Sequence, residues 1–248
     1  MYKKRGKQLS ETVTVPERIV ERKIIVFKPR LDLNAIRLTA EKMKTRLFTK
    51  FMFMKPKTRE IRTVSIDKYY EPHVVIDGEY TIDYSAKWFY YIQVDETMQE
   101  ITLFGKTLRP EPLENPEIPR KVIKLTGEGR FRYENKAHMI FDRQWCEVGL
   151  EQLPYVPFEE QPEKILNELG KKSRDFEIPA EKEIEILRSK IAQRPNDITH
   201  IHKELFTVSE RALIYKPMYK ITFQNTKTRK EATAIIDAVT GQTHRELI

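Results

Sequence analysis

Between His73 and Leu108 the chain alternates apolar and polar residues with a period of two. Val74, Ile76, Tyr80, Ile82 and Tyr84 mark one face with a gap at Gly78, and Trp88, Tyr90, Ile92 and Val94 resume it after Ser85-Ala86-Lys87. That period belongs to strands with one buried face. A third run, Met98 to Leu103, follows Asp95-Glu96-Thr97, so the pattern predicts an antiparallel meander carrying aromatics. A second region echoes the first at an offset of 49 residues, pairing Val74 with Ile123, Gly78 with Gly127, Glu79 with Glu128, Tyr84 with Tyr133 and Lys87 with Lys136. Two related hairpin units would produce this echo, and so would the accidental alignment of two strands that each carry a glycine break. Either way the spacing predicts a further antiparallel pair over 121–150.

Helical spacing marks other stretches. Asp32 suits an N-cap, and Ile36, Ala40, Met43, Leu47 and Phe51 follow at steps of three and four. Pro56 ends that element. Later, 163–170 reads as a short helix closed by Gly170. Pro179 suits a first helical position ahead of Ile184, Leu187 and Ile191, and Asn196 is placed to cap a helix bearing Ile198, Ile201 and Leu205. Strands are expected at Ile24 to Phe27, at Tyr219, Ile221 and Phe223, and at Ala234 to Ile236. The prolines of 107–120 (Pro110, Pro112, Pro116, Pro119) and of 153–162 (Pro154, Pro157, Pro162) mark extended connectors, the second a candidate boundary. The expected fold class is α+β: an antiparallel sheet of meander and hairpins with an N-terminal basic helix, then a smaller helix-plus-hairpin domain. The expected domains are a basic tail over 1–15, a mainly antiparallel β domain with one helix over 16–153, and an α+β domain over 163–248.

Near the end, Tyr219-Lys-Ile-Thr-Phe223, a short turn, and Ile236-Asp237-Ala238-Val239-Thr240-Gly241 resemble the closing hairpin of PepSY-type modules. The likeness spans about 25 residues, and Asp-x-x-Thr-Gly is also favourable turn chemistry on its own. The resemblance implies a small non-catalytic helix-plus-sheet module of the inhibitory or protein-binding kind.

Charge changes the picture more than composition does. The 248 residues hold 45 Lys/Arg against 37 Asp/Glu, a formal net of +8, in a globular composition that is 40% hydrophobic. Residues 1–60 carry 17 Lys/Arg against 6 Asp/Glu, whereas 61–160 carry 12 against 18. The positive excess therefore lies in the first quarter, on Lys3, Lys4, Arg5 and Lys7, on the stripe Lys42, Arg46 and Lys50, and on Arg37 and Lys44 at the polar side of the first helix. Such a surface would meet an acidic protein partner, or the phosphates of DNA or RNA with Tyr69, Tyr70, Trp88 and Tyr90 as stacking faces. A third possibility is that Leu47-Phe48 and Phe51 to Met54, beside those lysines, form a membrane-surface or partner-docking helix. One cysteine, Cys146, excludes an intramolecular disulfide, and no apolar run approaches the roughly 18 residues of a membrane span. With no apolar signal region at the N-terminus, the expected location is the cytoplasm. The abundance of Lys, Glu and Ile resembles that of thermophile proteins.

Catalytic signatures are missing from the sequence. The only close glycine pair, Gly127 and Gly129, sits in a predicted strand with no helix after it, so it forms no phosphate cradle. His200 and His202, on a predicted helix, would point about 200° apart and could not share an ion. His73 and His138 could form a metal site only by meeting near Cys146, which reads as a small buried residue. No cofactor or metal is expected. The leading expectation is a non-enzymatic interaction or adaptor protein that binds an acidic partner through its basic end; the alternative is a nucleic-acid-binding protein.

Overall fold

The computed structural model describes residues 15–48, 56–112, 121–168, 179 and 181–246. The strands are β1 (Glu17–Ile19), β2 (Lys23–Val26), β3 (Ile61–Val94), β4 (Ile101–Leu103), β5 (Lys106–Leu108), β6 (Glu111–Pro112), β7 (Lys121–Phe141), β8 (Ile198–Asn225), β9 (Glu231–Asp237) and β10 (Thr243–Glu246). The helices are α1 (Leu33–Leu47), α2 (Pro162–Glu168) and α3 (Lys182–Ile191). Among the described residues the main sheet runs in the order β10-β9-β8-β3-β7-β6, with β1 and β2 also on β8, and β4 and β5 pair separately. The protein is thus α+β, mostly antiparallel sheet with few helices; β2 runs parallel to β8, Lys23 against Ala212 and Val26 against Tyr215.

Three expected elements take another form. The meander is one strand, β3, 34 residues long, with no turn at Ser85-Ala86-Lys87. None of those residues favours positive φ, and Ser85 and Ala86 are buried, so the chain runs straight on. The true hairpin lies at β4–β5, where Phe104 and Gly105 take φ of 51° and 74°. The expected pair over 121–150 is likewise the single strand β7, so the two echoing stretches are strands and not hairpin units. After it, the Asp142 carboxylate accepts from the amides of Gln144 and Cys146 and turns the chain. Third, the helix expected after Asn196 is the start of β8. Asp197 takes φ of 61°, and Glu204, Phe206 and Val208 are buried at alternate positions, a period of two that overrides the helical spacing of Ile198, Ile201 and Leu205.

The chain forms two compact units. One gathers 1–18, 79–136 and 191–207; the other gathers 19–78, 137–190 and 208–248, so β3, β7 and β8 each contribute to both. The larger unit holds two core clusters. In one, Ile36, Ala40 and Leu47 of α1 pack with Ile61, Ile221, Phe223 and the small residues Ala232, Ala234 and Ala238. The alanines of β9 leave room for the helix to lie close to the strand. In the other, Phe27, Val75, Ile140 and Val156 pack with Ala212, Ile214 and Val239. The smaller unit centres on Tyr80, whose hydroxyl donates to Glu204 Oε1 at 2.6 Å, while Arg194 forks onto both oxygens of the same carboxylate at 2.8 and 2.7 Å. A buried acid with bidentate and phenolic partners meets the condition under which a charge tolerates burial.

Candidate binding surfaces

The cationic residues expected to form one basic surface are only partly described. Lys3, Lys4, Arg5, Lys7 and Lys50 lie outside the described residues, as do Phe51 to Met54. Asp32 Oδ1 accepts from the Ala35 amide at 2.7 Å and starts α1. Arg37, Lys42 and Arg46 are exposed, Lys42 and Arg46 one turn apart and Arg37 on another flank. None makes an ion pair among the described residues. Lys44 departs from the expectation: it is buried and paired with Glu41. It stands one turn from Ala40 and from Leu47 on the core-facing stripe, where its aliphatic stem packs and only the ammonium reaches its partner.

The four candidate stacking residues separate in the same way. Tyr70 is buried, with the Lys68 ammonium 5.0 Å from its ring centre, so it presents no free face. Tyr69 is half-buried in a cleft of about 580 Å³ in the larger unit, lined also by Lys68, Glu71, Arg143, Lys216, Lys220 and His244. Trp88 and Tyr90 belong to the smaller unit and are exposed. With Phe89, Tyr91 and Ile92 they form an uninterrupted run of large apolar side chains, 45 to 57% exposed on both faces of β3. On one side of that run Lys124 of β7 lies 4.5 Å from the Phe89 ring centre and 5.8 Å from that of Tyr91. Trp88 and Tyr84 lie 5.4 and 5.6 Å from Phe131. Sequence reasoning treats aromatics at strand spacing as core by default; the hint of exposure was that the run ignores the alternation and fills both parities.

The cleft is cationic, but its charges are largely committed. Lys216 Nζ is 3.1 Å from Asp237 Oδ2, both side chains buried. Burial alone would push the Asp237 carboxyl up, but the hydrogen bonds from Thr240 and Val239, with Lys216 beside it, hold it below the usual carboxylate range. His73, 3% exposed, is pushed down to about 4 by burial and by the Lys216 charge, so it is neutral at pH 7. The described lining residues include no serine, threonine or cysteine, Tyr69 bringing the cleft a phenol hydroxyl, and the lysines and Arg143 suit it to a small anion.

The histidines and the cysteine are placed differently from the sequence expectation. His200 and His202 lie on a strand, which sends i and i+2 to one face, and their rings are 4.7 Å apart. His202 Nε2 is 2.8 Å from Ser85 Oγ. His138 meets Asp77, not His73, and Cys146 is exposed in the turn after β7. No group of three His, Cys, Asp or Glu among the described residues is placed to hold a metal ion, and no described helix is long and apolar enough to cross a membrane. Compared with known proteins, the chain matches no family model, no curated protein and no solved structure.

Proposed function

We propose that the protein is a non-enzymatic component of a larger cytoplasmic assembly, and that it meets an acidic partner through the cationic side of α1. The observation that carries the reading is a contrast in how charge is handled. Arg130 with Asp83, Lys136 with Glu79 and Lys190 with Glu147 neutralise one another. On α1, by contrast, Arg37, Lys42 and Arg46 stand in solvent with no ion pair among the described residues, beside a sequence in which the first 60 positions carry the positive excess. Unpaired surface cations gain from a partner of opposite sign, and the gain is screened by salt. Nucleic acid is the second reading, favoured by the exposed run that holds Trp88 and Tyr90 and by Lys124 at the rings of Phe89 and Tyr91 in the same run, since exposed rings with a cation among them suit unpaired bases.

The double variant Lys42→Glu/Arg46→Glu of the full chain tests both. Binding to poly-L-glutamate, followed by fluorescence anisotropy over a salt series, should weaken by roughly tenfold or more and lose part of its salt dependence. Unchanged binding would remove α1 from consideration. A single-stranded oligothymidylate bound through Trp88 and Tyr90, with no loss in the double variant, would transfer the function to the second reading.

A further inference from the structure

The start of β8 sets two histidines side by side. Asp197 takes φ of 61° and turns the chain into the strand, so His200 and His202 leave the backbone on the same face. Positions i and i+2 of a strand lie about 6.6 Å apart, yet the two ring centres are only 4.7 Å apart with their planes at 74°, so the rings lean together. Both side chains are exposed and line a recess of about 660 Å³ in the smaller unit, together with Pro16, Ile198 and Thr199. Hydrogen bonds to β3 hold this end of β8 in place: the Thr199 hydroxyl donates to the Ser85 carbonyl at 3.0 Å, and His202 Nε2 lies 2.8 Å from Ser85 Oγ.

We propose that His200 and His202 chelate one late first-row divalent metal ion, Cu(II) in preference to Zn(II), with water completing its coordination. This site is separate from α1 and does not rest on the reading proposed for it. The spacing suits the ion. A metal about 2.1 Å from one nitrogen of each ring, with roughly 90–110° between the two bonds, holds the ring centres on the order of 5 Å apart, close to where they already stand. Exposed rings turn about χ2 at little cost, so the nitrogens can converge without disturbing the strand.

Ser85 selects the nitrogen. With Nε2 of His202 held at Ser85 Oγ, Nδ1 is the atom left for the metal, and the Nε2 proton that this tautomer carries donates to the hydroxyl. An imidazole fixed through its other nitrogen is the usual arrangement of a metal-ligating histidine. Glu204 continues the same face of β8, but the Tyr80 hydroxyl and Arg194 engage both its oxygens, so the protein donors among the described residues are the two imidazoles. Two neutral nitrogens offer little to Mg(II) or Ca(II), which take oxygen ligands, and the order of affinities along the first row favours Cu(II) over Zn(II). The positions left to water keep the ion open to an outside ligand.

Copper titration of the full chain tests the site, in a Cys146→Ser background because the exposed thiol would otherwise reduce Cu(II). By calorimetry this parent should bind one Cu(II), more tightly than Zn(II), and should give no binding heat with Mg(II). Its electron paramagnetic resonance spectrum should show the copper coupled to two nitrogens. His200→Ala alone and His202→Ala alone should each weaken Cu(II) binding by about tenfold or more, because the chelate loses one arm, and each should leave one coupled nitrogen. His138→Ala and His244→Ala, elsewhere in the chain, should bind Cu(II) as the parent does. Matching circular dichroism spectra check the fold of each variant, and the change in nitrogen coupling separates a lost ligand from a disturbed strand. A parent that binds no more Cu(II) than the double variant His200→Ala/His202→Ala, a single variant of either histidine that binds as tightly as the parent, or a parent spectrum with one coupled nitrogen would each overturn the proposal.

Discussion

His73 is enclosed beside Lys216, and protonating its ring would set a second cation in a site closed to water. Its lowered value, about 4 against an ordinary 6.5, makes the folded state bind its proton more weakly than the unfolded chain does. The unfolded chain therefore takes up the proton first as the medium is acidified. The stabilisation is fully present above pH 6.5 and is lost as the pH falls from there toward about 4. Compared with a His73→Asn variant, the wild type should lose about 2.5 kcal/mol of relative stability between pH 8 and pH 4.5, read from urea unfolding at each pH. A constant difference between the two would mean that His73 does not titrate on unfolding. Tyr80 shows the same physics with the opposite sign, its hydroxyl held well above the usual range first by burial and then by Glu204. Partners of this sort are beyond reading in sequence. Tyr80 and Glu204 are 124 positions apart, and nothing local in either marks them as a pair.

At the scale of elements, short-range chemistry could be read where a residue's own backbone decides the outcome. Asp32 starts α1 because its carboxylate satisfies an amide that the helix leaves unpaired. Asp32→Ala should lower the stability of the protein by about 1 kcal/mol in thermal unfolding, and should weaken poly-L-glutamate binding if α1 frays and its cations lose their place. An unchanged melting temperature would show that packing on β9 alone sets the start of the helix. α3 is legible for a similar reason: Ile184, Leu187 and Ile191 recur at helical spacing and all three are buried. The long strands are not. Ser85-Ala86-Lys87 breaks the apolar rhythm of β3 without supplying any residue that bends a chain, so polarity there signals a change of environment and not a turn. In β8, Ile198, Ile201 and Leu205 keep helical spacing, and the choice of strand is made by the strand beside them, to which Thr199 and His202 are bonded. The exposure of Trp88 to Ile92 was only hinted at, by apolar residues at both parities of one strand.

For the whole molecule, the division of the chain into compact units does not follow the order of the sequence. Each unit draws on β3, β7 and β8, so each is assembled from separate stretches. Within the larger unit, among the described residues, β9 and β10 reach the rest of the sheet through β8, and the core against β9 is completed by Ile36, Ala40 and Leu47 of α1 and by Ile61 at the start of β3. A fragment of 163–248 would keep β8, β9, β10, α2 and α3 but lose β2 and β3 on β8 and the α1 cover over Ala232, Ala234 and Ala238. The apolar faces left bare would include fully buried Ile221, Phe223 and Ile236, and exposing a side chain of that size costs about 1.5–3 kcal/mol each, enough in sum to exceed the net stability of a small domain. The fragment should therefore show neither a sharp thermal transition nor dispersed amide signals in a heteronuclear correlation spectrum, while its addition to separately expressed 1–162 should restore both. A fragment that melts cooperatively on its own would mean that β8 to β10 form an autonomous hairpin module and that the strands shared between the units join two independently stable folds.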